Sequence, residues 1–445
     1  MIDIQALVAQ LRAKQVHTRI GEWSLAWEFA RGTYHPADGE ITPLLAGDEH
    51  ARDWQRLSRL VKAVGERALH LKTTAAVGSV SWGDPTQRGA VTDAAFSTAK
   101  TQNDEAVSRL RLAANAHRLA EQWLVDGLIA VHAYRNARDE PRLARLTGYL
   151  EPYLSWDDMD ELEGLYQTKF RLNAHGHKKW WVRIYDWTGE TTTIREWHDL
   201  NDPLEFSRRE SATLEGVQRP IVRIGPTTEE GLVISRFLSS LSLMRGVMAT
   251  DLRLERVEEF ASYPVPVVIG DAELSVISPA VPIRIHDNGD FKFVDPGGLV
   301  ALRARLQEKL SRFELEMNLP SGSFGASQSG ESIREMNLVF FQDAQSDANL
   351  LSEFLTEALA SYAEVADDVT PVPVSVTENL AYIRDRIMDS TLRLLTANVI
   401  PFAVAVREIQ RFVPTFSEAE MHQFVQEQTA RITPADFRRL AEGAV

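Results

Sequence analysis

Three long stretches of helical periodicity dominate the second half of this chain. The first covers about 229–262, where Ile234, Phe237, Leu238, Leu241, Met244 and Met248 keep helical spacing and Leu252 and Val257 extend the apolar face. At 1.5 Å per residue it would be roughly 50 Å long, and Pro264 and Pro266 stop it. The second, about 297–317, carries a clean stripe of Leu299, Leu302, Leu306, Leu310, Phe313 and Met317. It runs into LPSGSFGASQSG, after which a third helix covers about 331–366. Between the first two, residues 265–294 read as a small β-rich insert. Its hairpin, IRIHDNGDFKFVD, places Asn288-Gly289 where a type I′ turn needs positive φ. The order is long helix, β insert, long helix, glycine-serine loop, long helix.

The earlier part of the chain has a different pattern. Residues 1–150 read mainly as helices, with candidates at 3–15, 22–31, 51–72 and 103–125, followed by LIAVHAY as a short strand. From Tyr166 the period becomes two: YQTKFRL, KKWWVRIYDW and TTTIREW, separated by NAHGH and TGE, predict a β-meander. RPIVRIG adds a strand at 219–225. Trp180, Trp181, Trp187 and Trp197 read as the core face of that sheet rather than a base-stacking platform. PVPVSV predicts one more strand, and a helical region from about 378 is broken by Pro401, Pro414 and Pro434. The fold class is therefore α+β.

Hydrophobic content of 44% and charged content of 25% are those of a soluble globular protein. No apolar run reaches the ~18–20 residues of a membrane span, and MIDIQALVAQLRAKQ is amphipathic rather than a signal peptide. With no cysteine there is no disulfide framework, thiolate metal site or cysteine nucleophile. A cytoplasmic protein fits, and so does an exposed assembly without disulfides. The net charge of −15 argues against gripping nucleic acid through the whole surface, since that affinity comes from Lys and Arg on phosphates. It is compatible with enclosing DNA without holding it.

Three motifs invite chemistry. GASQSGES, Gly325 to Ser332, matches the P-loop pattern at Gly325, Gly330 and Ser332, but Glu331 stands where the lysine belongs. A phosphate cradle also needs a strand leading into the loop, whereas a helix precedes this one. Glu331 suits the first turn of a helix, with Ser329 as its N-cap. His175 and His177, with His198 across the sheet, have turn spacing and no orienting partner, so they read as exposed turn histidines. SWDDMDELEG clusters Asp157, Asp158, Asp160, Glu161 and Glu163, but Leu162 breaks the calcium-loop pattern; the acids read as opening a short helix or covering a solvated face. No catalytic constellation survives, and the expectation is a non-enzyme without metal or cofactor. The rival expectations are a P-loop-like ATPase, a metal-dependent nuclease using the acidic cluster, and a different head-tail adaptor ring.

The order of these pieces resembles the portal protein of tailed double-stranded DNA bacteriophages, of the siphophage type. WLVDGLIAVHAY resembles the helix-to-strand entry of the portal wing, and the aromatic meander at 166–197 resembles the wing sheet. EEFASYPVPVVIG resembles the first stem helix passing into the clip. NLPSGSFGASQSGESIREM resembles the stretch where a proline and a variable loop precede a serine-glycine pair opening a long helix. NVIPFAVAVREIQRFVPTFSEAEM resembles the helical crown. Residues 1–50 carry no family motif.

The resemblance implies a portal-type subunit with a mixed wing over 1–228, a first stem helix over 229–262 and a β-rich clip over 263–296. A second stem helix over 297–318, a tunnel loop over 319–330, a long wing helix and strand over 331–377 and a crown over 378–445 complete it. Pro320, Ser321, Gly322, Ser323, Phe324, Gly325, Ala326, Ser327, Gln328, Ser329 and Gly330 would face DNA in the channel. His286, Asp287, Asn288, Gly289 and Asp290 would meet partners at the clip. The implied assembly is a homo-oligomeric ring of twelve at one capsid vertex of the virion, formed in the host cytoplasm. It passes double-stranded DNA without regard to sequence and docks the large terminase subunit, major capsid and scaffolding proteins, and head-completion or adaptor proteins, with no membrane partner. Residues 229–330 hold ten Lys or Arg against fourteen Asp or Glu, a net of −4, and 321–330 hold four serines and three glycines. An acidic wall and a small uncharged loop are what a conduit for sliding phosphates would tolerate.

Overall fold

The computed structural model describes residues 3–33, 59–83, 100–154 apart from 102 and 106, 161–172, 177–188, 191–205, 212–228, 231–262, 266–269, 290–293, 299–320, 323, 330–366, 369–379, 381–383, 385, 391, 402–412 and 419. They are mixed helix and sheet, an α+β fold. The chain forms two compact units, Met1–His70 with Glu121–Met317, and Leu71–Ala120 with Asn318–Val445.

The first unit is built on an antiparallel five-stranded meander: β4 (Tyr149–Leu154), β5 (Leu162–Leu172), β6 (Lys178–Asp186), β7 (Thr192–Leu200) and β8 (Ala212–Val217), in that spatial order. The three central strands are those the period-two pattern predicted. Both faces of the sheet are covered. Tyr166, Val182, Ile184 and Trp197 point one way, onto Leu7 and Leu11 of α1 (Ile4–Ala13) and Val16 and Ile20 of α2 (Val16–Ala30). Leu165, Tyr185 and Ile194, one residue out of phase, point the other way. They pack on Leu128 and Ala130 of β2 (Leu128–Arg135), the centre of a three-stranded sheet ordered β3 (Pro141–Arg145), β2, β9 (Ile221–Ile224).

The expectation of a single tryptophan core face is corrected by this sandwich. Trp197 is buried and Trp180 packs beside it under the helices, while Trp187 joins the opposite cluster. Trp181 belongs to neither cluster; Arg183 and Lys169 sit 4.6 and 5.3 Å from its ring centroid.

A buried charge fixes α1 and α2 over the sheet. Glu151 of β4, almost wholly enclosed, accepts from Lys14 Nζ at 3.1 Å, Arg19 at 2.6 Å and the Tyr149 hydroxyl at 2.6 Å. A carboxylate withdrawn from water persists only with such partners. The turn between the helices is made by Gln15 at φ 51°.

The same unit holds a helical hairpin. A short α5 (Arg236–Ser239) leads into α6 (Leu241–Ser262); β10 (Pro266–Ile269) pairs antiparallel with β11 (Asp290–Phe293); α7 (Leu299–Glu316) returns. Arg303 meets Glu258 at 2.7 Å, and further along Lys309 Nζ donates to Gly246 O at 2.8 Å and Thr250 Oγ1 at 2.7 Å. Those pairings make α6 and α7 antiparallel. The helix expected from 229 starts later, because Ser235 caps it, accepting from the Leu238 N–H, and a bridge between Thr227 and Val233 occupies the preceding residues. The uninterrupted part, α6, has 22 residues and spans roughly 33 Å.

In the second unit, β1 (Ser79–Trp82) pairs antiparallel with β12 (Val374–Thr377), and β12 lies along α8 (Gly330–Val365). The Val374 and Val376 N–H groups donate to the hydroxyls of Thr356 and Ser352 on α8 at 2.9 and 2.8 Å. Two helix side chains thus satisfy a strand edge that a third strand would otherwise cover. Lys72, near the end of α3 (Arg59–Ala76), is buried against Asp343 at 2.6 Å, which also accepts from Asn318 Nδ2 at 2.9 Å. The 103–125 pattern is helical on both sides of a break at Arg111, which takes φ 50°: the described residues between 100 and 109 are helical, and α4 (Leu112–Asp126) follows. Helix α9 (Phe402–Phe412) lies in the region read as helical beyond 378.

Candidate functional site

The hairpin of α6 and α7, its β pair and the segment entering α8 hold the residues singled out for function. The apolar stripe of α7 is covered unevenly within one chain. Leu310, Phe313 and Met317 are buried, while Leu299, Leu302 and Leu306 are half-buried and Val300 is 83% exposed. The same helix thus ends in a packed core and begins with an apolar face only partly enclosed.

A phosphate cradle is entered from a strand, and the segment from α7 to α8 is not. Helix α7, not a strand, leads into it, and Asn318 at φ 49° ends that helix. Leu319 and Pro320 are buried, and Ser323 turns back so that its N–H and Oγ both donate to Pro320 O, at 3.2 and 2.5 Å. Gly330 is the first residue of α8, and Glu331 falls in its first turn. Ser321, Gly322, Phe324, Gly325, Ala326, Ser327, Gln328 and Ser329 lie outside the described residues. At the other end of the hairpin, Asp290 opens β11 and pairs with Ile269. His286, Asp287, Asn288 and Gly289, and with them the expected type I′ turn, lie outside the described residues.

The other motifs are dispersed. His177 is exposed at the start of the sixth strand, and His198 lies 3.4 Å from Glu196; His175 is outside the described residues. Of the acidic cluster, Glu161 is exposed just before β5 and Glu163 lies in it, so at Glu163 the expected short helix gives way to a strand. Asp157, Asp158 and Asp160 are outside the described residues. Among the described residues no three His, Asp or Glu side chains are grouped to hold a metal ion. No described helix is long and apolar enough to cross a membrane.

Sequence reasoning missed a cavity of about 340 Å³ in the first unit, lined among others by Trp23, Trp27, Gln122, Asp126, Arg145 and Phe170. The Trp23 and Trp27 indoles both donate to Asp126 Oδ1, at 2.8 and 2.6 Å. Burial raises the Asp126 carboxyl from 3.8 to about 7 despite those two donors and nearby Arg145, which pull the other way. The i, i+4 spacing of Trp23 with Trp27, and of Gln122 with Asp126, was visible in sequence; that the two pairs face each other was not. His132 in β2 is also enclosed, its ring nitrogen 3.0 Å from Gln218 O, and burial lowers it to about 4, so it is neutral near pH 7.

No family model matches the chain, and no curated protein matches it. Among solved structures it is similar to a chain described as "Neck of empty GTA particle computed with C6 symmetry", with TM-score 0.41 and 15% identity, covering 80% of this chain and 95% of that one.

Proposed function

We propose that this chain is the repeating subunit of a portal-type ring, the conduit for double-stranded DNA at one vertex of a phage capsid. The observation that carries the reading is the antiparallel hairpin of α6 and α7, which leads through β10 and β11 and then into α8. On this reading α6 and α7 are the stem, 263–296 the clip that meets terminase and later adaptor proteins, and 319–330 the loop beside DNA. The two-faced sheet with its helices is the wing, and 378–445 the crown. The half-covered start of α7 supports assembly, since Leu299, Leu302 and Leu306 would gain their missing cover from the neighbouring subunit. The net −4 over residues 229–330 supports passage rather than capture, because each added Lys or Arg contact would make the duplex stick. The ring acts mechanically; the energy for packaging comes from the terminase motor.

Electron microscopy and mass measurement of the purified protein test this directly. Twelve chains of 50.0 kDa make a ring of about 600 kDa with an open centre. A monomer at every concentration overturns the reading. ATP turnover, or magnesium-dependent DNA cleavage, by the purified chain would favour an ATPase or a nuclease instead.

A further inference from the structure

One face of the meander is only half covered. Leu165, Tyr185 and Ile194 pack on β2, and the same face continues along β5 and β6 past that contact. Directly opposite one another there stand Gln167 and Arg183, Lys169 and Trp181, and Arg171 and Lys179. Alternation puts all six on the side of Leu165 and Tyr185. Gln167 is buried, Arg171 is exposed, and the other four are half-buried. Residues 164–185 hold five Lys or Arg and no Asp or Glu, in a chain whose net charge is −15.

Two carboxylates of β7 answer part of this charge: Glu196 pairs with Arg183, and Asp199 with Arg171 at 2.7 Å. Lys169 and Lys179 have no carboxylate partner among the described residues. Lys179 donates to the neutral Asn201 at 2.6 Å, and Lys169 lies over the Trp181 ring. Burial depresses the Lys169 ammonium below its usual value, and the like charges of Arg183 and Arg145 depress it further. An added anion relieves such crowding.

Trp181 says which kind of anion. Its ring is engaged by Arg183 at 4.6 Å and Lys169 at 5.3 Å, so it orders cations and leaves no open platform for a base. Ordered cations without a stacking surface meet phosphates, which carry no sequence information. Lys179 to Arg183 spans about 14 Å of strand. That matches about four nucleotides of one duplex strand, at 3.4 Å each. A repeating polyanion fits the array in every register, whereas an acidic peptide fits only when its carboxylates are spaced to match.

We propose that this face of β5 and β6 binds the phosphate backbone of double-stranded DNA through Lys169, Arg171, Lys179 and Arg183, with Trp181 holding two of them in place. It is a surface that holds DNA, separate in sequence from the 319–330 loop proposed to let it pass. A single chain carries all of it, so it does not depend on the ring. The two lysines dominate the salt dependence, because each arginine exchanges a carboxylate for a phosphate.

Anisotropy with a closed circular duplex and the full-length protein tests the proposal, since a closed circle cannot thread a preformed ring. Sizing of the same sample reports ring formation separately, so failure of the conduit reading and failure of this surface are told apart. Binding should weaken with salt, with a log–log slope of about −2 to −4. Lys169→Gln with Lys179→Gln should weaken it about tenfold at low salt and flatten the slope by about 2. Lys169→Arg with Lys179→Arg should retain it, which separates lost charge from lost fold. In wild type the duplex should protect Lys169 and Lys179 from acetylation. Binding unchanged by the double glutamine variant overturns the proposal, as does the absence of salt-dependent binding. Displacement of the duplex by poly-glutamate at equal charge would assign the face to an acidic protein segment and overturn the DNA assignment. Preference for single strands over duplex would mean that Trp181 stacks bases, and overturns it too.

Discussion

Three helical glycines respond differently to the same substitution. Gly65 of α3 packs against the backbone of α2, and a Cβ there would lie 2.2 Å from Phe29 O and 2.8 Å from Phe29 C. Ordinary contact starts near 3.4 Å, so α2 and α3 would have to separate by about 1 Å. The obstructing atoms are main chain in mid-helix and cannot swing aside. Gly65→Ala gains about 1 kcal/mol of helix propensity but incurs an overpacking cost at the upper end of ~1–3 kcal/mol or beyond. The net loss is about 2 kcal/mol. Gly21 of α2 has no atom within 4 Å of its Cβ position, so Gly21→Ala should stabilise by ~0.5–1 kcal/mol. Gly246 of α6 would meet only the flexible Lys309 side chain, its Nζ at 3.4 Å, and should change little. Urea unfolding followed by tryptophan fluorescence is the assay. With a slope of ~2–3 kcal/mol/M, Gly65→Ala should lower the midpoint by roughly 0.7–1 M and Gly21→Ala should raise it. If the two variants shift the same way, the close approach of α2 and α3 is wrong.

Glu151→Gln leaves Lys14 and Arg19 without their carboxylate and should cost about 3 kcal/mol, read as a fall in unfolding midpoint with the sheet's near-ultraviolet signal. Lys309→Met removes the donor to Gly246 O and Thr250 and should cost about 1–2 kcal/mol. On the proposed assembly, sizing and microscopy should show the variant's rings dissociating at lower denaturant. Ser323→Lys with Ser327→Lys should leave ring assembly intact and slow DNA packaging in a reconstituted terminase reaction, more so at low salt. Packaging indifferent to both lysines would remove the loop from the DNA path.

The sheet was legible where its strands are central and hidden where they are edges. β5, β6 and β7 alternate visibly and are bounded by NAHGH and TGE. β4 carries Pro152 and the buried Glu151, and β8 carries Gly216 at φ 67°. Those residues speak against a strand, yet an edge tolerates them because one side of its backbone needs no ladder partner. Helices α7 and α8 were legible to within two residues because their apolar stripes are long. The start of the helical run α5–α6 was not, since Ile234 continues the stripe numerically while Ser235 caps α5 just after it. The enclosed groups were illegible for a different reason. The environment of Glu151, Asp126 and Gln122 is made by helices and strands distant in sequence, and residue type alone does not say which carboxylates will lose their water.

The pairing of β1 with β12 joins Ser79 to Thr377, 298 residues apart, while the meander pairs each strand with its neighbour in sequence. A ribosome adding 5–20 residues per second delivers the meander complete long before β12 exists, so β1 waits roughly 15–60 s for its partner. During that interval Val80 and Trp82 present an open strand edge to the crowded cytosol. The second unit is therefore the late-folding part of the molecule, and its integrity is decided after the first unit is finished. Slow stretches of translation or chaperone capture between residues 317 and 374, after the first unit has been synthesised, act on this closure. Variants that shift yield without altering the purified protein should cluster in β1, in β12 and along the face of α8 that carries Ser352 and Thr356.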